Sequence, residues 1–255
     1  MTSIFDLTQS VAVVTGGNGG IGLGMAHGLA AAGAGVAIWG RDASKNARAV
    51  ADLRRHHTAV ESFVCDVTDE GSIADAFAAT LARFDAVDAC FANAGISGTR
   101  ERFHETSLAN WRRVVDVNLL GVVAVFAETI RHLRDRDAPG SLVATSSTAA
   151  IMGVPRGEHY AATKTALQAL VRSLAVEYGR YGIRANAVVP GWVETAMTED
   201  AFALDRFQSR VLPRHPLGRW GKPDDFAGIA VYLASDASRW HTGDAIVIDG
   251  GYTKF

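Results

Sequence analysis

Three residues of this chain have types and spacing that could move a proton: Ser147, Tyr160 and Lys164. Tyr160 and Lys164 stand four apart in Tyr160-Ala-Ala-Thr-Lys164, within a stretch of helical patterning, so they share one helix face. A tyrosine phenol has a pKa of about 10 and needs help to act as a base near neutrality. A neighbouring ammonium gives that help, because it favours the phenolate. A lowering of three units takes about 4 kcal/mol of such stabilisation. Ser147 lies just past a β-branched run and can donate a hydrogen bond to a carbonyl oxygen. Only four lysines occur (Lys45, Lys164, Lys222 and Lys254), so a lysine at this place stands out. Taken singly, Tyr160 reads as a packed helix residue and Lys164 as a solvated one; the chemistry rests on the set.

A second feature needs a ligand. Val11-Ala-Val-Val-Thr-Gly-Gly-Asn-Gly-Gly-Ile-Gly22 reads as a strand, a glycine-rich turn and a helix start. Gly16 can take backbone angles closed to other residues, so the turn can be tight. The absent side chains let the backbone approach a pyrophosphate, and the helix opening near Gly20 aims its free N–H groups at that anion. Glycine-rich loops are common, but one that follows the first strand and opens a helix has the context of a dinucleotide site. The second strand ends Gly40-Arg41-Asp42. An acid at such a tip binds a ribose 2′-hydroxyl, whereas an arginine accommodates a 2′-phosphate. Gly40 holds the acid's place, Arg41 follows it, and Asp42 falls one residue late. This pattern predicts NADP, with NAD as the alternative. It also predicts that the double change Gly40→Asp, Arg41→Ile reverses the preference.

Elements that could position these groups recur along the chain. Short β-branched runs (Val11–Thr15, Val36–Trp39, Val60–Val64, Val87–Ala92, Ser141–Thr145, Ile183–Val189 and Ala245–Ile248) alternate with helical stretches (Ile21–Ala32, Ser72–Arg83, Trp111–Arg134 and Tyr160–Tyr181). Repeated strand–helix alternation predicts an α/β fold: one Rossmann-like, doubly wound domain over 1–255, with a seven-stranded parallel sheet and helices on both faces. A less regular segment, 192–223, reads as a substrate-binding loop or lid.

Composition narrows the classes. The chain has 255 residues, 48% hydrophobic and 20% charged, which excludes disorder, collagen and coiled coil. The net charge of −2 offers no basic excess for phosphate backbones, so nucleic acid is not an expected partner. No apolar run nears the roughly 18 residues of a membrane span, and the N-terminus lacks a signal-peptide pattern. Two cysteines are too few for a disulfide scaffold. A cytoplasmic protein without a membrane partner is expected, and no metal site.

Together these motifs resemble the short-chain dehydrogenase/reductase family, in its subgroup of about 250 residues. The resemblance spans essentially the whole chain: Thr15–Gly22, Asp66-Val67, Asn93-Ala94-Gly95, Asn118, Ser147, Tyr160, Lys164, Pro190-Gly191 and Asp249-Gly250-Gly251. It implies an oxidoreductase moving hydride between a nicotinamide cofactor and a ketone/secondary alcohol pair, with Tyr160 as general acid/base. Lys164 then lowers the Tyr160 pKa and holds the nicotinamide ribose, Ser147 polarises the substrate oxygen, and Asn118 holds a water in a proton relay. The implied cofactor contacts are Gly16, Asn18, Gly20, Ile21, Gly22, Arg41, Asp66, Val67, Asn93, Ala94, Gly95, Tyr160, Lys164, Pro190, Gly191, Val193 and Thr195. The family's sheet order sets Cys65 and Cys90 too far apart to bridge, leaving them as apolar filler. Gly19 departs from NADP-using members, which often carry a basic residue there. A homotetramer is implied. The substrate stays open among 3-oxoacyl thioesters, sugars, polyols and cyclic alcohols. A catalytically silent nucleotide-binding scaffold is the contrasting reading.

Overall fold

The computed structural model describes residues 3–56 and 58–254. Its seven strands are β1 (Val11–Thr15), β2 (Gly35–Gly40), β3 (Val60–Val64), β4 (Ala89–Ala92), β5 (Gly140–Thr145), β6 (Ile183–Pro190) and β7 (Ala245–Ile248). All pairs are parallel, in the order β3-β2-β1-β4-β5-β6-β7. The chain winds outward from β1 to β3, then returns to start β4 on the other flank of β1. That reversal opens a crevice at the carboxyl ends of β1 and β4, where ligands bind in such sheets.

The helices are α1 (Gly20–Ala31), α2 (Ala43–Leu53), α3 (Glu70–Phe84), α4 (Leu108–Val115), α5 (Gly121–Asp135), α6 (Glu158–Tyr178), α7 (Glu199–Phe202), α8 (Asp205–Val211) and α9 (Ala227–Ala234). Successive strand side chains point to opposite faces, so each central strand feeds two cores. Val14, Ile38 and Phe91 pack with Met25, Leu29 and Phe226 on one face. Val13, Trp39 and Cys90 pack with Phe77, Phe126 and Leu167 on the other. Cys65 joins this second core, and both thiols are free and buried. Burial pushes their pKa up, to about 11 for Cys65 and about 12 for Cys90. They serve as the small apolar filler expected of them.

Two differences from the sequence reading have local causes. The helical stretch around Trp111–Arg134 is two helices joined by a π-helical turn at Asp116–Leu120, which centres on Asn118. Such turns break no apolar periodicity that the sequence displays, and they cluster at functional sites. The segment from 192 to 223 contains α7 and α8, too short for a periodic signal.

Gly24 and Gly28, one turn apart, let α1 rest directly on the chain entering α9. A Cβ at Gly24 would lie 2.0 Å from the Pro223 carbonyl oxygen, and one at Gly28 2.5 Å from that of Ala227. Gly24→Ala should therefore cost about 2 kcal/mol or more despite alanine's better helix propensity, because backbone must yield rather than a flexible side chain. Urea unfolding of the variant against the wild type measures this.

Candidate active site

A cleft of about 790 Å³ lies along the carboxyl ends of the central strands. The glycine-rich turn forms its floor. Gly16 sits at φ +63°, and a Cβ there would be 3.0 Å from the Ala94 Cα. A Cβ at Gly22 would be 2.4 Å from Asn93 Nδ2. Thr15 stitches the two loops together, its Oγ1 accepting from the N–H groups of Asn93 and Ala94 at 3.0 Å each. Asn93 Nδ2 donates in return to the Thr15 carbonyl at 3.2 Å. α1 opens at Gly19 with no side-chain cap and no acidic residue in its first turn. Its N–H groups thus face the cleft with neither a capping oxygen nor a competing carboxylate. These features fit the pyrophosphate of a dinucleotide.

At the tip of β2, Asn46 is buried and donates to the Gly40 carbonyl at 2.8 Å. Asn18 Nδ2 donates to Asn46 Oδ1 at 2.6 Å. A Cβ on Gly40 would lie 2.4 Å from Asn18 Nδ2 and 2.6 Å from Asn46 Oδ1. In the expected switch Gly40→Asp, the new side chain would have to displace these two amides and break the Asn18–Asn46 bond. Asp42 caps α2, accepting from the Lys45 N–H at 2.9 Å. Arg41 is exposed and lies 3.9 Å from Asp66. The Thr68 N–H and hydroxyl, with Arg41, hold the Asp66 carboxyl below its usual range.

At the other end, Tyr160 and Lys164 both line the cleft, with the ammonium 5.6 Å from the phenol ring centroid. Burial pushes the Tyr160 pKa up; the Ser147 hydroxyl and the Arg100 charge draw it back. Lys164 is buried, and burial lowers its pKa to about 8. Its Nζ donates to the Thr145 carbonyl at 2.7 Å. Ser146, which the motif reading passed over, locks this turn by donating to the Lys164 carbonyl at 2.8 Å. Asn118 is fully buried; its Oδ1 accepts from the Ile96 N–H at 2.8 Å and its Nδ2 donates to the Ile96 carbonyl at 2.9 Å. Both side chains approach Gly95: a Cβ there would be 3.3 Å from Asn118 Oδ1 and 3.5 Å from Lys164 Nζ.

Of the sequence-predicted residues, Gly16, Asn18, Gly20, Ile21, Asn93, Ala94 and Gly95 line one cleft with Tyr160, Lys164, Pro190 and Thr195. Gly22, Arg41, Asp66, Val67, Asn118 and Ser147 are not among the residues that line it. Gly191 packs against Asp249, and Val193 is buried in the core with its backbone bridging Gly221. Lys45, Arg48, Ser146 and Met197 line the cleft without having been predicted.

A family profile described as enoyl-(acyl carrier protein) reductase matches residues 16–253. The chain belongs to the short-chain dehydrogenase/reductase family. It is 37% identical over 247 residues to the cis-4-hydroxycyclohexanecarboxylate dehydrogenase of Sinomonas cyclohexanicum, covering 96% of this chain and 97% of that one. It is 34% identical to the gluconate 5-dehydrogenase of Gluconobacter oxydans, over 98% of this chain and 97% of that protein. The crystal structure of a gluconate 5-dehydrogenase from Burkholderia cenocepacia J2315, in complex with NADP and tartrate, superposes with a TM-score of 0.92 at 34% identity, covering 98% of each chain. This short-chain dehydrogenase/reductase is an NAD(P)-dependent oxidoreductase acting on CH–OH groups. No described helix is long and apolar enough to cross a membrane.

Proposed function

We propose that this enzyme interconverts a secondary alcohol and its ketone with NADP(H), and that its substrate is a cyclic or polyhydroxy alcohol. The observation that carries the reading is the pair Tyr160 and Lys164 facing one glycine-floored cleft, with the Ser147 hydroxyl drawing the phenol pKa down. Tyr160 gives or takes the proton at the substrate oxygen, Ser147 orients that oxygen, and Lys164 steadies the charge. Asn118 holds the Ile96 backbone beside them. The cofactor supplies the hydride; this chain supplies orientation and the proton. Asn18, Gly20, Ile21, Asn93, Ala94, Gly95, Pro190 and Thr195 hold the cofactor, with Asp66 and Val67 at its adenine end. The chain acts as one domain, 1–255, with 192–223 as the lid over the substrate.

The relatives named above act on a ring alcohol and a sugar acid, which supports that class over 3-oxoacyl thioesters. Arg100, whose charge reaches the Tyr160 hydroxyl, suits a substrate with an acid group. A silent scaffold is disfavoured because all four catalytic positions are present. A panel of gluconate, 4-hydroxycyclohexanecarboxylate, a neutral cyclohexanol and a 3-oxoacyl thioester, assayed with both cofactors, tests the assignment. Turnover of the thioester alone would overturn it.

Arg41→Ala tests the cofactor choice without disturbing the crowded Gly40. A charged hydrogen bond contributes about 1.5–3 kcal/mol, and exposure of Arg41 favours the low end, so the NADP-to-NAD ratio of kcat/KM should fall about tenfold. An unchanged ratio would place the Arg41 guanidinium in solvent.

We also read the protein as a cytoplasmic homotetramer. Exposed apolar side chains on α5 and on the helical run before it (Leu108, Leu120 and Val123) and on α6 (Val176) support a self-association face. Sedimentation at micromolar concentration should show four copies; a monomer would contradict it.

A further inference from the structure

The loop that follows Gly95 has little of its own to hold it. Ser97, Gly98 and Thr99 carry no large apolar side chain, so hydrogen bonds to neighbouring elements set its place. Three side chains supply them. Asn118 takes both the N–H and the carbonyl of Ile96. Asn110 on α4 accepts from the Thr99 N–H at 3.2 Å. His159, in the first turn of α6, bonds the Ser97 carbonyl through Nε2 at 3.1 Å.

A carbonyl oxygen only accepts, so His159 Nε2 carries the proton and donates it. The ring is 1% exposed and meets Trp111 edge to face, with centroids 5.8 Å apart. Gly98, at φ +72°, turns the loop back onto this ring: a Cβ there would lie 2.3 Å from His159 Nε2. The other ring nitrogen, Nδ1, is buried without a partner among the described residues. An unpaired buried acceptor is a disadvantage that an apolar ring of this size would avoid, so packing alone does not explain a histidine here.

His159 is the residue before Tyr160, and Arg100 lies three residues after Ser97. One histidine thus ties the helix turn that carries the phenol to the loop that carries a cation. The Arg100 charge favours the Tyr160 phenolate. Thr99, Arg100 and Glu101 are all exposed, so the anchors at Ser97 and Thr99 decide where that charge stands.

We propose that His159 is a positioning residue for proton transfer: its bond to the Ser97 carbonyl holds the 97–100 loop, and with it the Arg100 guanidinium, beside the Tyr160 hydroxyl. The proposal rests on the reading of Tyr160 as the group that takes the substrate proton.

Alcohol oxidation needs the phenolate, so rates in that direction report on the charges around it. Those charges are Arg100 on the loop and Lys164 on α6, and Lys164 is left untouched in every variant. His159→Phe keeps a flat ring and removes the donor. Its kcat/KM for oxidation at pH 8 should fall about fivefold, the modest effect of one exposed charge, and the loss should shrink by pH 10, where the phenol ionises without that help. Arg100→Ala should show the same loss with the same pH dependence. The double variant should lose no more than either single one, because both changes remove one interaction. His159→Gln, whose amide nitrogen falls at about the reach of Nε2, should restore most of the rate. Should His159→Phe fail to fold, His159→Asn, polar but too short for the Ser97 carbonyl, takes its place in the same comparison. Wild-type kinetics in His159→Phe, a loss equal at both pH values, losses that multiply in the double variant, or no rescue by glutamine would each overturn the proposal and leave Tyr160 in its role. Turnover retained in Tyr160→Phe would overturn the reading of Tyr160, and this proposal with it.

Discussion

Tyr160→Phe should lower kcat about a thousandfold while the protein still binds its cofactor. The change removes one oxygen, and that oxygen is the proposed proton donor and acceptor; positioned general acid/base groups contribute about 10²–10⁴ in rate. The ring stays, so its packing near the Lys164 ammonium is kept, as is the Lys164 bond to the Thr145 carbonyl. Loss of turnover with cofactor affinity held within about threefold would therefore report chemistry rather than misfolding. Steady-state rates on the best substrate of the panel, beside fluorescence titration of the cofactor, make the measurement. A variant that keeps most of the wild-type kcat would remove Tyr160 from the mechanism.

The β-branched runs of the sequence coincide with strands because each central strand is buried on both faces. Residues such as Val13 and Val14 must then both be apolar, which leaves a continuous run with sharp ends. The glycine-rich turn was legible for a similar reason: few residue types satisfy a positive φ at Gly16 and the contact with Asn93 at Gly22. What stayed hidden depends on contacts between distant segments. Nothing in the run Trp39-Gly40-Arg41 shows that Asn46 folds back to bond the Gly40 carbonyl and fill the space an acid would need. Lys45 and Arg48 belong to no motif that marks them in the sequence. Only the packing of α2 beside the glycine-rich turn brings them to the cleft. Ser146 was obscured by its neighbour Ser147, since two adjacent serines point to opposite sides of an extended chain.

Lys164 should show two large effects that share one cause. Lys164→Met should reduce both turnover and cofactor affinity, because the same ammonium is proposed to steady the Tyr160 phenolate and to hold the nicotinamide ribose. The second effect is on stability. Burial lowers the Lys164 pKa from 10.5 to about 8 in the cofactor-free protein. Below pH 8 both folded and unfolded chains carry the proton, and the fold bears the full disadvantage of a charge it has desolvated, about 3 kcal/mol. Between pH 8 and 10.5 the folded protein gives up that proton while the unfolded chain keeps it. The unfolded state then binds more protons, so this residue's contribution to stability rises with pH across that window. Lys164→Met has no such group. The unfolding free energy of the wild type, taken relative to the variant, should therefore climb by as much as about 3 kcal/mol from pH 7 to 10.5. Urea unfolding of both proteins at pH 7, 8, 9 and 10 reads the difference directly. A gap that stays flat over this range would mean that the ammonium is solvated, and that the cleft does not desolvate the charge on which its chemistry is proposed to depend.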